Sequence, residues 1–196
     1  FVVEVNLGLR ILLLLFLFLS PLLGQDVVRV ASFNLRNYLS CDRMVEGKWR
    51  PDYPKPEIEK KAVRSIIRSV NPDILAIQEM GDYPYLVELW TDLNTTGGPY
   101  YPYAVWMPNE GEGEIRHLAF LSKYSPVSIV KHTDLSFSYF DGIEQSGRGL
   151  LEITFCAGGV SFHIFNLHLK SMWTERKDDP QAKIRREKEA RMMRDL

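Results

Sequence analysis

The sequence predicts a mixed fold, α+β of the α/β type, in which helices lie outside β-sheets. Three observations carry this expectation. The order of elements is strand, helix, strand, helix, then mostly strands. The 196 residues are 45% hydrophobic and 25% charged, which is ordinary for a globular chain and far from disorder. There is no internal repeat, low-complexity tract or interdomain linker, so one domain is expected over residues 25–196.

Each element has its own signal. Residues 27–33 (VVRVASF) form an apolar β-rich run that ends at Asn34, which predicts a buried strand. Residues 40–56 hold Gly47, Pro51, Pro54 and Pro56 and read as a loop. Over 57–70, Ala62, Val63, Ile66, Ile67 and Val70 recur at steps of three and four, which marks an amphipathic helix stopped by Asn71-Pro72. Residues 74–77 form a short apolar strand ending at Gln78-Glu79. A second helix is expected over 85–93, closed by Gly97-Gly98-Pro99. Further strands are expected near 103–107, 117–122, 127–131, 149–155 and 160–167. Residues 181–196 read as a charged helix anchored by Ile184, Met192 and Leu196.

Residues 11–19 (ILLLLFLFL) are unbroken and apolar, with Arg10 before them and Ser20-Pro21 after. Such a run is shorter than the roughly 20 residues a transmembrane helix needs. It reads as a signal peptide, residues 1–24, cut near Gly24, which predicts a secreted or periplasmic chain without a stable membrane span. A retained anchor is the second reading.

Lysine and arginine number 24 against 25 aspartates and glutamates, a formal charge of −1. This excludes a strongly basic, histone-like binder and leaves room for a local basic patch. Two cysteines, Cys41 and Cys156, exclude a disulfide-dense mini-fold and a cysteine-based zinc site. One bridge and two free thiols both remain open.

Three expected strands deliver polar residues at their carboxyl ends: Asn34, Glu79, and Asn166 with His168. Ligand sites of α/β folds favour that end. Residues two apart in a strand share a face, so Asn166 and His168 point the same way. Any one of these is commonly a solvated turn residue; three strand ends together are the stronger signal. A carboxylate, amides and a histidine suit a hard cation that keeps its waters, as Mg²⁺ does.

Four strings occur in order: Ser32-Phe33-Asn34-Leu35-Arg36, Pro72 to Glu79 (PDILAIQE), His117 to Lys123 (HLAFLSK), and Asn166-Leu167-His168-Leu169-Lys170-Ser171. Together they resemble the endonuclease/exonuclease/phosphatase superfamily, and in particular its secreted deoxyribonuclease-like branch. The resemblance implies a four-layer α-β-β-α sandwich. It implies Glu79 as the Mg²⁺ ligand, with Mn²⁺ as the alternative ion. Asn34 would help place the metal and the scissile phosphate, and His168 would contact that phosphate and act in acid catalysis. Arg36 and Arg148 would bind nucleic acid and phosphate through planar guanidinium forks. Asn166 and Lys170 join the phosphate- or substrate-binding set.

The basic stretch 183–194 is expected to be a solvated face laced with i,i+4 pairs, and a polyanion contact is the sharper alternative. Trp173 and Tyr83 are read first as packed or loop aromatics and second as stacking platforms. The family's later Gly-Asp-Phe-Asn and Ser-Asp-His stretches are absent from the 196 residues. The chain is therefore expected to be the N-terminal, truncated part of the domain. The reading is a secreted Mg²⁺-dependent phosphodiesterase in which water attacks phosphorus in line, with nucleic acid the foremost phosphate-ester substrate. Sphingomyelinase or phosphoinositide phosphatase activity stays open within the superfamily. The alternative class is a noncatalytic secreted binding module or inactive fragment.

Overall fold

A computed structural model describes residues 27–95, 97–109, 113–171 and 180–196. The expected leader 1–24 and Trp173 lie outside the described residues. Strands β1 (Val30–Tyr38), β4 (Ile74–Met80), β6 (His117–Ser122) and β5 (Tyr103–Met107) form a four-stranded sheet in the order β1-β4-β6-β5. β1 and β4 are parallel, while β6 runs antiparallel to both β4 and β5. β4 is buried on both faces, which is why it reads as a continuous apolar run. A second, antiparallel sheet has the order β11-β10-β7, from β7 (Pro126–His132), β10 (Leu150–Ala157) and β11 (Val160–Leu167).

The two sheets face each other across one core. Ile74, Ala76, Leu118 and Phe120 from the first sheet meet Leu151, Ile153 and Phe155 from the second. A second core lies on the other face of the first sheet. There α1 (Glu57–Val70) brings Val63 and Ile67, and α2 (Tyr83–Thr95) brings Leu86, Leu89 and Leu93, against Leu75, Ile77 and Leu121. Two ion pairs tie these helices together, Lys60–Glu88 at 2.6 Å and Arg64–Asp92 at 2.9 Å. On the far side, α3 (Pro180–Arg194) sets Met193 against Leu135 and Leu150, with Leu167 and Leu169 beside them. The α-β-β-α sandwich thus stands, its last layer covering one end of the second sheet.

α1 begins after Pro56 and ends at Asn71 in the left-handed conformation (φ 46°), as the Asn71-Pro72 stop signal implies. The 40–56 segment departs from expectation. Most of it is an exposed hairpin, β2 (Cys41–Val45) and β3 (Lys48–Tyr53). Glu46 (φ 50°) and Gly47 (φ 74°) form its two-residue turn, with both residues left-handed as a type I′ turn requires. Pro51 falls where the register shifts, the place a ribbon tolerates it. A second short hairpin, β8 (Ser136–Tyr139) and β9 (Gly142–Gln145), was likewise unmarked in the sequence.

Of the three expected anchors of α3, Met192 packs against the core and two differ from expectation. Ile184 and Leu196 are exposed, while Ala182, Glu189 and Met193 are buried. Glu189 accepts hydrogen bonds from Ser146 Oγ and the Lys170 N–H, each 2.8 Å, which compensates its burial. Both cysteines are free thiols, Cys156 exposed and Cys41 half-buried. Among the described residues no helix is long and apolar enough to cross a membrane.

Candidate active site

The site begins where β1 and β4 end side by side. Asn34 is paired with Gln78, and the next pairing is Tyr38 with Met80. Leu35, Arg36 and Asn37 therefore stand opposite Glu79 alone. On the other edge of β4, Ile77 pairs with Ala119 and Met80 with His117, so Gln78 and Glu79 face only Leu118. β4 is thus irregular on both sides at one point, and such bulges re-aim a side chain. Three residues here have left-handed backbone without being glycine: Arg36 (φ 51°), Asn37 (φ 60°) and Glu79 (φ 59°). Each costs on the order of 1 kcal/mol or more, and such strain collects at functional positions.

The bulge turns Glu79 into a net of donors. Its Oε1 accepts from Asn34 Nδ2 at 2.8 Å and its Oε2 from the Asn37 N–H at 2.9 Å. Asn34 Oδ1 is taken by the Arg36 N–H at 2.9 Å. Asn34 therefore presents its amide N–H to the carboxylate and does not offer an oxygen beside it. This corrects the expectation of Asn34 as a metal ligand: in this geometry it orients Glu79.

His168 follows the end of β11. Its Nε2 lies 3.3 Å from Arg148 Nη1 and 3.4 Å from Glu79 Oε1. A guanidinium only donates, so Nε2 accepts from Arg148 and the neutral ring carries its proton on Nδ1. Burial, then the Arg148 charge, push the imidazole down to a pKa of about 4. The ring is neutral at pH 7.

Arg148 also donates through Nη1 to the Leu169 carbonyl (3.2 Å) and through Nε to Glu114 Oε2 (2.8 Å). Glu114 Oε1 accepts from Arg116 Nη1 at 2.9 Å, and Arg116 Nε donates to Asn37 Oδ1 at 2.8 Å. Burial alone would raise the Glu114 carboxyl, but the hydrogen bonds and charges of Arg116 and Arg148 outweigh it and hold it below the usual range. Gly149 places Arg148. Its φ is +60°, and a Cβ there would stand 2.5 Å from the His132 carbonyl oxygen.

A cavity of about 850 Å³ opens over these groups, lined by Asn34, Asn37, Glu79, Arg116, Arg148, His168 and Lys170 among others. A second cavity of about 560 Å³ shares Arg148 and Lys170 with it. The structure thus gathers Asn34, Glu79, Arg148, His168 and Lys170, as the sequence implied. It does not bring Arg36 to the cavity lining. That side chain is exposed, and its backbone serves instead, with the carbonyl accepting from Lys55 Nζ at 3.0 Å.

Asn166 is a further correction. It is 2% exposed and lies beneath the cavity, where all of its amide is used within the protein. Its Oδ1 accepts from Gln78 Nε2 at 2.6 Å, and its Nδ2 donates to the carbonyls of Ile77 (2.9 Å) and Ala119 (3.1 Å). Asn166 rivets the second sheet to the bulged strand of the first and is not free to bind phosphate. Tyr83 meets Trp106 edge-on, with ring centroids 6.0 Å apart, and is half exposed.

Sequence reasoning missed Asn37, Glu114 and Arg116. The available signal was the Glu114-Ile115-Arg116 triplet before a buried strand, since residues two apart in extended chain share a side.

Comparison with known proteins agrees with this fold. A model of the family described as "Endonuclease/Exonuclease/phosphatase family" matches residues 31–155. Among solved structures, an endonuclease/exonuclease/phosphatase family protein from Leptotrichia buccalis is similar at 15% identity with a TM-score of 0.52. The alignment covers 72% of this chain and 53% of that one. A β-hairpin deletion mutant of beta toxin from Staphylococcus aureus is similar at 17% identity with a TM-score of 0.54, covering 88% and 60%. SmcL is similar at 16% identity with a TM-score of 0.53, covering 88% and 57%. The chain therefore spans between half and three-fifths of the length of these relatives, and the likeness is one of fold. No curated protein matches the sequence. The matched segment, 31–155, runs from β1 into β10, covers more than half of the chain and holds Asn34, Glu79 and Arg148, and on that ground the chain belongs to the Endonuclease/Exonuclease/phosphatase family.

Proposed function

We propose that this chain carries the metal- and phosphate-binding part of a secreted phosphodiesterase whose foremost substrate is nucleic acid. Members of the family hydrolyse phosphate esters and are in general dependent on divalent metal. The observation that carries the reading is the meeting of one carboxylate, three arginines (Arg116, Arg148 and Arg186) and a neutral histidine around one cavity at the strand ends.

The donor set fits a hard cation. Glu79 offers anionic oxygen, and no thiol lines the cavity. Mg²⁺ is commonly held by one or two carboxylates plus substrate phosphate, with Mn²⁺ an acceptable substitute. Glu79 would hold the ion, which when bound supplies charge stabilisation at a phosphoryl oxygen. Asn34 and the Asn37 N–H fix the direction of that carboxylate. Arg148 and Arg116 present planar donors to phosphate oxygens, and Lys170 adds a point charge. His168 enters neutral, as a hydrogen-bonding group. An arriving phosphate anion raises its pKa and makes an acid role available.

Secretion rests on the apolar run before the described residues, and sequencing the N-terminus of the exported product tests it. The catalytic reading is tested by incubating the chain with Mg²⁺ or Mn²⁺ and DNA, RNA, sphingomyelin vesicles or phosphoinositides in parallel. Metal-stimulated cleavage of nucleic acid is expected, lost in Glu79→Ala together with Mn²⁺ affinity. His168→Ala should lower cleavage by about two orders of magnitude with Mn²⁺ affinity retained. Unchanged Mn²⁺ affinity in Glu79→Ala would refute the ligand assignment. The chain spans little more than half the length of these relatives; nucleic-acid binding without turnover would make it a noncatalytic module.

A further inference from the structure

We propose that Glu114 is a positioning residue of this site, the carboxylate that holds two of its arginines, Arg116 and Arg148, in fixed relation for a phosphate group. The inference rests on the phosphate-ester reading above. The polar contacts form one chain. Glu79 Oε2 meets the Asn37 N–H (2.9 Å), Asn37 Oδ1 meets Arg116 Nε (2.8 Å), and Arg116 Nη1 meets Glu114 Oε1 (2.9 Å). Glu114 Oε2 meets Arg148 Nε (2.8 Å), and Arg148 Nη1 meets His168 Nε2 (3.3 Å).

Glu114 spends one oxygen on each guanidinium. Oε1 also takes the Arg116 N–H at 3.2 Å, which fixes the carboxylate against its own strand entry. The side chain is 16% exposed, so these charge-assisted bonds are little diluted by water. With Nε and Nη1 of both arginines engaged, Nη2 of each is the donor left over among the described residues. A guanidinium fork is useful to phosphate only in a set orientation, and an untethered arginine pays rotamer entropy each time it binds. Glu114 removes that cost for two arginines at once, and it does so without touching the phosphate.

Charge alone argues the opposite sign. A carboxylate behind two arginines weakens their attraction for an anion. The two effects therefore separate cleanly in one experiment. Inorganic phosphate is titrated into the chain by calorimetry at fixed low salt, and Mn²⁺ is titrated separately. Glu114→Gln, of equal shape but uncharged, should weaken phosphate binding about ten-fold while changing Mn²⁺ affinity less than two-fold. Glu114→Asp keeps the charge but withdraws the oxygens by one carbon–carbon bond, about 1.5 Å, and should weaken phosphate binding several-fold. In an Arg148→Lys background, Glu114→Gln should add little further loss.

Tighter phosphate binding in Glu114→Gln, or unchanged binding in Glu114→Asp, overturns the positioning role. Should Glu114→Gln not fold, Glu114→Asp alone decides. If Arg148→Lys weakens phosphate and neither Glu114 variant does, this inference falls and the function reading stands. If the wild-type chain takes no phosphate, both fall.

Discussion

At the scale of single residues, His168 makes the sharpest statement. Its folded pKa of about 4 lies below the ordinary value of 6.5 because the ring is buried and faces Arg148. The unfolded chain therefore binds a proton at a higher pH than the folded one. Stability from this residue is complete above about pH 6.5 and is lost as the pH falls towards 4, an effect of about 3 kcal/mol. An NMR titration of the imidazole should place its midpoint near 4, and denaturant midpoints of wild type and His168→Gln should converge on acidification. A midpoint near 6.5 would mean the ring is solvated. What was legible at this scale followed from backbone pattern. Asn34, Glu79 and His168 stood out because polar residues ended apolar strands. Asn166 was misread because a polar residue at a strand end looks the same whether it faces a cavity or rivets two sheets. Glu114 was missed because only its nearer partner, Arg116, is signalled by the local spacing, while Arg148 lies 34 residues away along the chain.

At the scale of elements, the approach to β10 decides whether Arg148 is aimed. Gly149 is left-handed, and a methyl group there meets the His132 carbonyl oxygen and Met107 Cε, at 2.5 and 2.6 Å. Gly149→Ala should cost about 2–3 kcal/mol by denaturation and weaken phosphate binding with it. Full stability in that variant would mean the turn is softer than its geometry implies. Elements with one buried face were legible: α1 was read over 57–70 and occupies Glu57–Val70, because its apolar stripe faces a sheet. The hairpins were not, since β3 is exposed along its whole length and has no buried side to impose alternation. Two of the expected anchors of α3, Ile184 and Leu196, were misassigned for a related reason. A helix touching the fold at a few points leaves only a weak stripe, and its buried glutamate mimics a solvated one.

At the scale of the molecule, the cores are separate from the chemistry. Neither of the two large clusters includes Glu79, Arg148 or His168. Among the described residues no group of three acidic, histidine or cysteine side chains gathers to hold a metal. The ion proposed at Glu79 would meet a single carboxylate of the cavity lining, and chelation should leave the fold intact. At a cation concentration ten times its Kd the ion adds only about 1.4 kcal/mol. Differential scanning calorimetry with and without EDTA should show a shift of a few degrees, and unfolding on chelation would reveal a structural ion. The sheet order and the facing of the two sheets were not legible from pattern alone, because β1 and β4 pair across more than 40 residues. The resemblance to a family supplied that arrangement.

The left-handed backbone of Glu79 has an evolutionary consequence. Glycine is the residue that conformation suits best, so exchanging the side chain for none would return on the order of 1 kcal/mol of strain against the two charge-assisted hydrogen bonds it gives up. Such a chain would recover part of the stability it loses while losing the group proposed to hold the ion. Selection that sees only abundance therefore penalises this exchange less than the lost bonds alone imply. Any screen that improves this protein for yield or heat resistance must assay the chemistry as well, or it will drift away from it unnoticed.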